Sequence, residues 1–273
     1  MLRILGVSKS GYYAWMNRKP SHQQKRKETI KTKIKEVYDE SKQIYGATKI
    51  TKQLKSSEIP IGEKTVGNYM KEMGIRAIYR KKWVKTTIDS DFSSKLENLL
   101  KRNFKAIKPN TIWVTDITYI WTITGFVYLT SIMDLFSRKI IAWELTDSLT
   151  VDCVTNCIIK AKKRRNLDQA LIIHSDRGKQ YVSKEYIKLF EENMKRSYSK
   201  KGDPWDNACI ESFHAIIKRE WLNRFKIRNI RHAHSLVFEY IETFYNTTRI
   251  HGSLGYVSPN HYEKRYEHVR KAN

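Results

Sequence analysis

The chain has 273 residues, with 52 lysines and arginines against 28 aspartates and glutamates, a formal net charge of +24. That surplus argues against an ordinary metabolic enzyme and for a polyanionic partner, nucleic acid ahead of an anionic membrane surface. A hydrophobic share of 40% with 12% aromatics excludes a wholly disordered basic tail, and no apolar stretch approaches the roughly 18 residues that span a bilayer.

Three cysteines (Cys153, Cys157, Cys209) form no CxxC pair and are too few for a disulfide framework. The first residues hold no apolar run followed by a small-residue cleavage site, so a cytoplasmic protein in a reducing compartment is expected. The charge is uneven: residues 1–110 carry 26 basic and 10 acidic side chains, and residues 111–273 carry 26 and 18.

Residues 1–20 read as a short helical segment with Gly6, Val7 and Ser8 as its turn, compatible with a truncated helix-turn-helix. Residues 21–85 read as a basic all-α domain. Helix 27–42 puts Ile30, Ile34, Val37 and Tyr38 on one face, helix 46–56 carries Ile50 and Leu54, and helix 63–73 aligns Val66, Tyr69, Met70 and Met73. Pro60, Ile61 and Gly62 punctuate the last two. A long helix before two short ones joined by a tight turn suits a helix-turn-helix, and periodicity alone suits a plain three-helix bundle equally well. The excess lysines tilt the balance toward DNA. Residues 86–105 read as a polar linker, with one helix expected around 95–102.

The chain changes texture after Lys108, Pro109 and Asn110, where a domain expected to span 106–266 begins. Residues 113–119 alternate as a strand, Gly125 breaks the run, and 126–134 and 139–144 follow as antiparallel neighbours. Helix 151–164 turns Val154, Cys157, Ile158 and Ala161 inward, and 171–174 is a short apolar strand of the kind buried inside a sheet. A helix at 183–192, an edge strand at 195–199 and a long helix at 207–223 complete the series. Three hairpin strands followed by alternating helix and strand is the order of a ribonuclease-H-like α/β fold.

Three carboxylates stand out by context. Asp116 interrupts an apolar strand on one face with Val114 and Thr118, and a buried unpaired carboxylate is costly. Asp176 directly follows the buried strand, at the end where open α/β sheets place ligands. Glu211 sits in the long helix, four residues after Asn207. Converging, they would offer hard oxygen ligands to two Mg²⁺ ions about 3.5–4 Å apart, as phosphoryl transfer on nucleic acids often requires. Position alone does not prove this in a chain with 28 acidic residues.

The motifs around these residues carry a family resemblance. Trp113 to Tyr119 (WVTDITY) is similar to the W-x-T-D-I-T-Y block of bacterial insertion-sequence transposases with a retroviral-integrase-like core. His174 to Tyr181 (HSDRGKQY) resembles their H-S-D-x-G-x-Q-Y block, and Asn207 to Phe213 (NACIESF) resembles N-A-x-x-E-S-F. Tyr245, Asn246, Arg249, His251, Leu254, Gly255 and Pro259 follow the closing Y-N-x-x-R-x-H-x-x-L-G-x-x-x-P block. Tyr45, Gly46, Lys49 and Ile50 match the Y-G-x-x-[KR]-I start of the family's helix-turn-helix. Five blocks in order, from about Ser8 to Tyr262, make the resemblance specific to the OrfB product of the insertion-sequence-three group.

The resemblance implies an integrase catalytic core, a DNA transposase acting by metal-dependent hydrolysis and strand transfer, and Asp116, Asp176 and Glu211 as its metal-binding catalytic triad. It implies two Mg²⁺ ions, with Mn²⁺ as a substitute, and element-end and target DNA as substrates. It also implies a multimer on DNA, the upstream reading-frame product (OrfA) as partner, and a nucleoid-associated location in the cytoplasm. Lys218 lies seven residues beyond Glu211, two helical turns along the same face, where a phosphate or base contact is expected; a solvated surface lysine is the plain alternative. The competing function is a catalytically incomplete half that binds DNA and regulates or supports a frameshifted fusion. A tyrosine recombinase is disfavoured because Arg249 and His251 do not form a His-x-x-Arg pattern.

Other residues admit plainer readings. Gly178 relieves a tight backbone. Gln180 and Tyr181 either shape the site floor or pack. Asn207 is a good N-cap type. Trp205 either stacks on an unpaired base or packs. Cys153 and Cys157 suit a core rather than a zinc site, and His232 and His234 are too sparse for metal ligands.

Overall fold

The serine hydroxyls that precede the first two helices set where those helices begin. The computed structural model describes residues 4–78, 96–167, 169–200 and 204–272, and the chain divides into two compact units, Met1–Ile78 and Tyr79–Asn273.

In the first unit, α1 (Lys9–Met16) is capped by Ser8, which accepts the Gly11 N–H, and none of its residues is buried. Helix α2 (His22–Glu40) starts five residues before the periodicity suggests, because Ser21 caps it by accepting the Gln24 N–H at 3.2 Å. It packs with α3 (Ala47–Ser56) and α4 (Glu63–Glu72) around Ile34, Tyr38, Ile50, Leu54, Val66 and Met70. Glu72 draws Lys27 and Lys31 to within 2.7 and 3.0 Å, tying the end of α4 to α2.

The second unit holds a five-stranded sheet of order β3-β2-β1-β4-β5. Strands β1 (Ile112–Thr122), β2 (Gly125–Asp134) and β3 (Ile140–Thr146) form an antiparallel meander, with Gly125 turning at φ 119°. Helix α5 (Asp152–Arg164) then crosses over so that β4 (Leu171–Ser175) pairs parallel to β1, and β5 (Met194–Tyr198) adds a parallel edge. Cys153, Val154, Cys157, Ile158 and Ala161 of α5 are fully buried with Trp113, Ile132, Ala142 and Ile173 of the sheet, so the cysteines are core residues. This is the mixed α/β arrangement expected, and no helix among the described residues is long and apolar enough to cross a membrane.

Two expected helices give way to long-range bonds. The described part of the 95–102 segment is not helical: the N–H groups of Leu99 and Leu100 go to Ser197 Oγ at 2.9 and 3.2 Å, and Lys101 and Arg102 take left-handed φ angles of 44° and 61°. Residues 86–95 of the linker lie outside the described residues. The 183–192 helix shrinks to α6 (Lys184–Ile187): the next N–H groups turn to i→i−3 bonds, Leu189 to the Tyr186 carbonyl and Phe190 to that of Ile187, and the Leu189 carbonyl beyond receives the Lys162 ammonium at 3.1 Å.

Helix α7 (Ala208–Glu220) is followed by α8 (Ile230–Phe238), a π-helical stretch at Glu239–Tyr245 and α9 (Pro259–Ala272). Buried Glu220, at the end of α7, accepts Arg249 at 2.7 and 2.8 Å and the Tyr240 hydroxyl at 2.6 Å. The Asn246 side chain bonds both the N–H and the carbonyl of Ile140 in β3, at 3.0 and 2.9 Å. These pairs make the closing sequence block an anchor for α7 and the sheet.

Breaking the ion pair from one side should be severe. Arg249→Ala leaves Glu220 buried and uncompensated, for an expected loss of about 3–5 kcal/mol, whereas removing both charges with well-packed apolar residues should cost far less. Urea unfolding followed by tryptophan fluorescence measures both variants. Equal, small losses would mean that the pair is not an anchor.

Candidate active site

Alternation along β1 puts Asp116 and Thr118 on the sheet face opposite the α5 core. Parallel pairing of Val114 with His174, carried two residues on, sets Asp176 beside Asp116. Asp176 stands exposed just past β4, and its Oδ1 accepts the Gly178 N–H at 2.9 Å. A Cβ at position 178 would stand 3.1 Å from that oxygen and 3.3 Å from Gln180 Oε1, so the glycine lets the carboxylate fold back. Gln180 donates to the Leu149 carbonyl at 3.1 Å. Tyr181 is buried in the α5-side core, with its hydroxyl 3.1 Å from Thr115 Oγ1.

The third carboxylate arrives on α7. Asn207 does not cap the helix through its side chain; its Nδ2 instead donates to the Thr115 carbonyl at 3.0 Å, fastening the helix start to β1 one residue before Asp116. Its neighbour Asp206 is buried and accepts Asn98 Nδ2 at 2.7 Å, Arg102 Nε at 2.9 Å and the Lys200 N–H at 2.8 Å. Glu211, in the first turn of α7, is half-buried. Lys218 is half-buried two turns on, and its ammonium donates to Thr118 Oγ1 at 2.7 Å. Burial lowers the Lys218 pKa, and the charge of Asp116 works against that.

The electrostatics of the three carboxylates suit a divalent cation. Although Asp176 is exposed as a residue, protein atoms crowded around its carboxylate are the first cause that raises its pKa from 3.8 to about 6, followed by the negative charges of Asp116 and Glu211, with only the Gly178 N–H opposing. Asp176 and the two carboxylates whose negative charge it feels offer hard oxygen donors suited to a divalent ion. Among the described residues, however, no three acidic, histidine or cysteine side chains already stand together as a ready cage. Asp134 has a pKa raised to about 6 mainly by burial, but its oxygens are taken by the N–H groups of Asn110 and Phe136, so it staples the sheet.

The sequence reading passed over two residues. His214 is buried on α7 with Nδ1 3.4 Å from Asp116 Oδ2; its spacing of three from Glu211, on the same helix face, was the available signal. Asp206 had none, since its side-chain partners, Asn98 and Arg102, lie about a hundred residues upstream. Trp205 is 70% exposed rather than packed. His232 and His234 do not form a pair: the first serves the cap of α8 and the second lies 4.9 Å from the Trp143 ring. Gly202 of the neighbouring loop lies outside the described residues.

Comparison with known proteins finds family models for an HTH-like domain over residues 25–83 and for an integrase core domain over residues 106–204 and again over 192–259. The transposase for insertion sequence element IS904 of Lactococcus lactis subsp. lactis is 39% identical over 250 residues, covering 91% of this chain and 99% of that protein. Transposase InsF for insertion sequence IS3A of Escherichia coli is 35% identical, covering 97% of this chain and 93% of that protein. The insertion element IS600 uncharacterized 31 kDa protein of Shigella sonnei is 33% identical, covering 98% and 99%.

The raised pKa of Asp176 has a stability consequence. Because the folded value of about 6 exceeds the ordinary 3.8, ionising the group costs stability that is retained below about pH 4 and lost as pH rises through 6. Asp176→Asn should therefore raise the Tm of the metal-free protein at pH 8, and by less at pH 4.5. Added Mg²⁺ should raise the Tm of the wild type more than that of the variant. Thermal scans at both pH values decide it; a variant less stable than wild type at pH 8 would refute the repulsive cluster.

Proposed function

The chain belongs to the insertion-sequence transposases, and on that premise we propose that Asp116, Asp176 and Glu211 are the carboxylates with which it cuts and joins DNA. The carrying observation is the β1–β4 register, which sets Asp116 beside Asp176, with α7 fastened to the same strand through Asn207.

Transposition by an integrase core is phosphoryl transfer on DNA. In the proposed reaction, water attacks the phosphodiester at the element end and frees a 3′-hydroxyl, which then attacks a target phosphodiester. Two Mg²⁺ ions, for which Mn²⁺ substitutes, would activate the attacking oxygen and stabilise the leaving one. Asp116, Asp176 and Glu211 would hold them. Gly178 keeps Asp176 folded toward the site. No protein nucleophile is needed, so no covalent protein–DNA link forms.

Lys218 serves DNA in this reading. Its flexible cation, now resting on Thr118, suits a phosphate or base edge near the scissile bond. The helix-turn-helix unit holds element DNA, and the working assembly is a multimer with the OrfA product in the nucleoid-associated cytoplasm. The excess of positive charge supports these DNA roles.

Asp116→Asn, Asp176→Asn and Glu211→Gln should each abolish Mg²⁺-dependent cleavage and joining of element ends, since each keeps side-chain size and removes an anionic ligand. Circular dichroism should be unchanged. Near-native strand transfer by any one of them would falsify the triad. Lys218→Ala should weaken binding to element-end duplex by on the order of 1–3 kcal/mol if it reads a base edge, while Mn²⁺ binding persists. Unchanged DNA affinity and nicking would return Lys218 to the solvated surface.

A further inference from the structure

Glu211, His214 and Lys218 stand at i, i+3 and i+7 along one face of α7. The proposed function uses the first and last; the middle one is the most enclosed. His214 is 4% exposed, and an imidazole so enclosed must place both ring nitrogens. Nε2 lies 3.3 Å from Ser131 Oγ. Nδ1 has no hydrogen-bond partner and stands 3.4 Å from Asp116 Oδ2. Ser131 and Asp116 are themselves direct cross-strand partners on β2 and β1. The ring therefore sits over one rung of the sheet with a nitrogen toward each residue.

The chemistry of the partners selects the tautomer. An ionised carboxylate only accepts, whereas a serine hydroxyl can donate or accept. Hydrogen on Nδ1, with Nε2 accepting from Ser131, is the arrangement that serves both. An unbonded donor 3.4 Å from a carboxylate oxygen lies one small rotation short of a bond, and such contacts often tighten when a site is filled.

We propose that His214 is a positioning residue for Asp116. Its Nδ1–H takes Oδ2, fixing the carboxylate plane so that the other oxygen is presented to a divalent cation shared with Asp176. Histidine and carboxylate thus form a supporting pair of the kind that tunes metal affinity from outside the ligand sphere. The inference rests on Asp116 being a metal ligand, as proposed above.

The test is Mn²⁺ binding to the full chain by titration calorimetry, with Tm and circular dichroism recorded for each variant. His214→Phe should weaken Mn²⁺ binding about 10- to 100-fold without lowering Tm in proportion. His214→Asn, whose amide nitrogen falls near the place of Nδ1, should recover most of the affinity. His214→Gln reaches instead toward Ser131 and should behave like phenylalanine. In an Asp116→Asn background, His214→Phe should add no further loss. If Asp116→Asn weakens binding but His214→Phe stays within about twofold of wild type, the positioning role is wrong and the triad stands. If Asp116→Asn leaves Mn²⁺ affinity intact, the triad reading fails and this inference with it. Should the phenylalanine variant not fold, the Asn and Gln variants decide, and equal affinities for those two would overturn the proposal.

Discussion

The attachment of α7 to the sheet governs everything around the site. At its start, Asn207 bonds the Thr115 carbonyl; midway, His214 lies over the Asp116–Ser131 rung; further on, Lys218 reaches Thr118. At its end, Glu220 is clamped by Arg249 and Tyr240. A helix held only by an apolar stripe could slide or turn by a fraction of a residue at little cost. Polar contacts at four levels oppose that, because each is directional and the buried ones are costly to leave unmade. A catalytic carboxylate must be held to within a fraction of an ångström of its productive place, and this helix carries Glu211, the third carboxylate of the proposed triad.

Much of this was legible in the sequence where burial or alternation acts locally. The meander β1–β3, the inward stripe of α5 and the apolar strand β4 follow from short-range pattern, and the structure has them. Asp116 was visible because it breaks an apolar strand. What stayed hidden was set by partners far along the chain. The 95–102 segment has helical composition, but Ser197 takes its N–H groups. Lys162 takes the Leu189 carbonyl two residues beyond the end of α6. Asn207 has the composition of a cap and spends its side chain on β1 instead. His214 had only its spacing of three from Glu211 to mark it, and a histidine at that spacing looks alike whether it packs, is solvated or stands beside a carboxylate.

The charge is distributed unevenly between the chain as a whole and its candidate site. The chain carries +24 overall, yet the candidate site gathers three carboxylates. Under the proposed reaction, a positive field draws DNA in and raises its encounter rate, while a local negative cluster would repel the phosphate at the point of reaction. The two are compatible if the cluster is neutralised when DNA arrives, which is what a divalent cation accomplishes. Lys218 stands at the boundary of these regions, within range of the Asp116 charge and partly desolvated.

The strand that positions Asp176 counters part of the strain on that residue. His174, two residues earlier, is buried between Ser197 and Ser199 at 2.8 and 3.2 Å, and burial lowers its pKa from 6.5 to about 4 against the opposing charge of Asp206. Its neutral ring contributes stability that is present above the ordinary 6.5 and lost as pH falls through 4. Asp176, with its raised value of about 6, has the opposite dependence. Between about pH 4 and 6, a rise in pH thus strengthens the β4–β5 pairing through His174 as it loads the end of β4 with the charge of Asp176. At neutral pH the histidine adds no charge of its own, so the carboxylates stay the dominant charges at that end of the sheet. The His174 contribution is therefore complete in the pH range where Asp176 is ionised, and it opposes the stability lost there through that carboxylate.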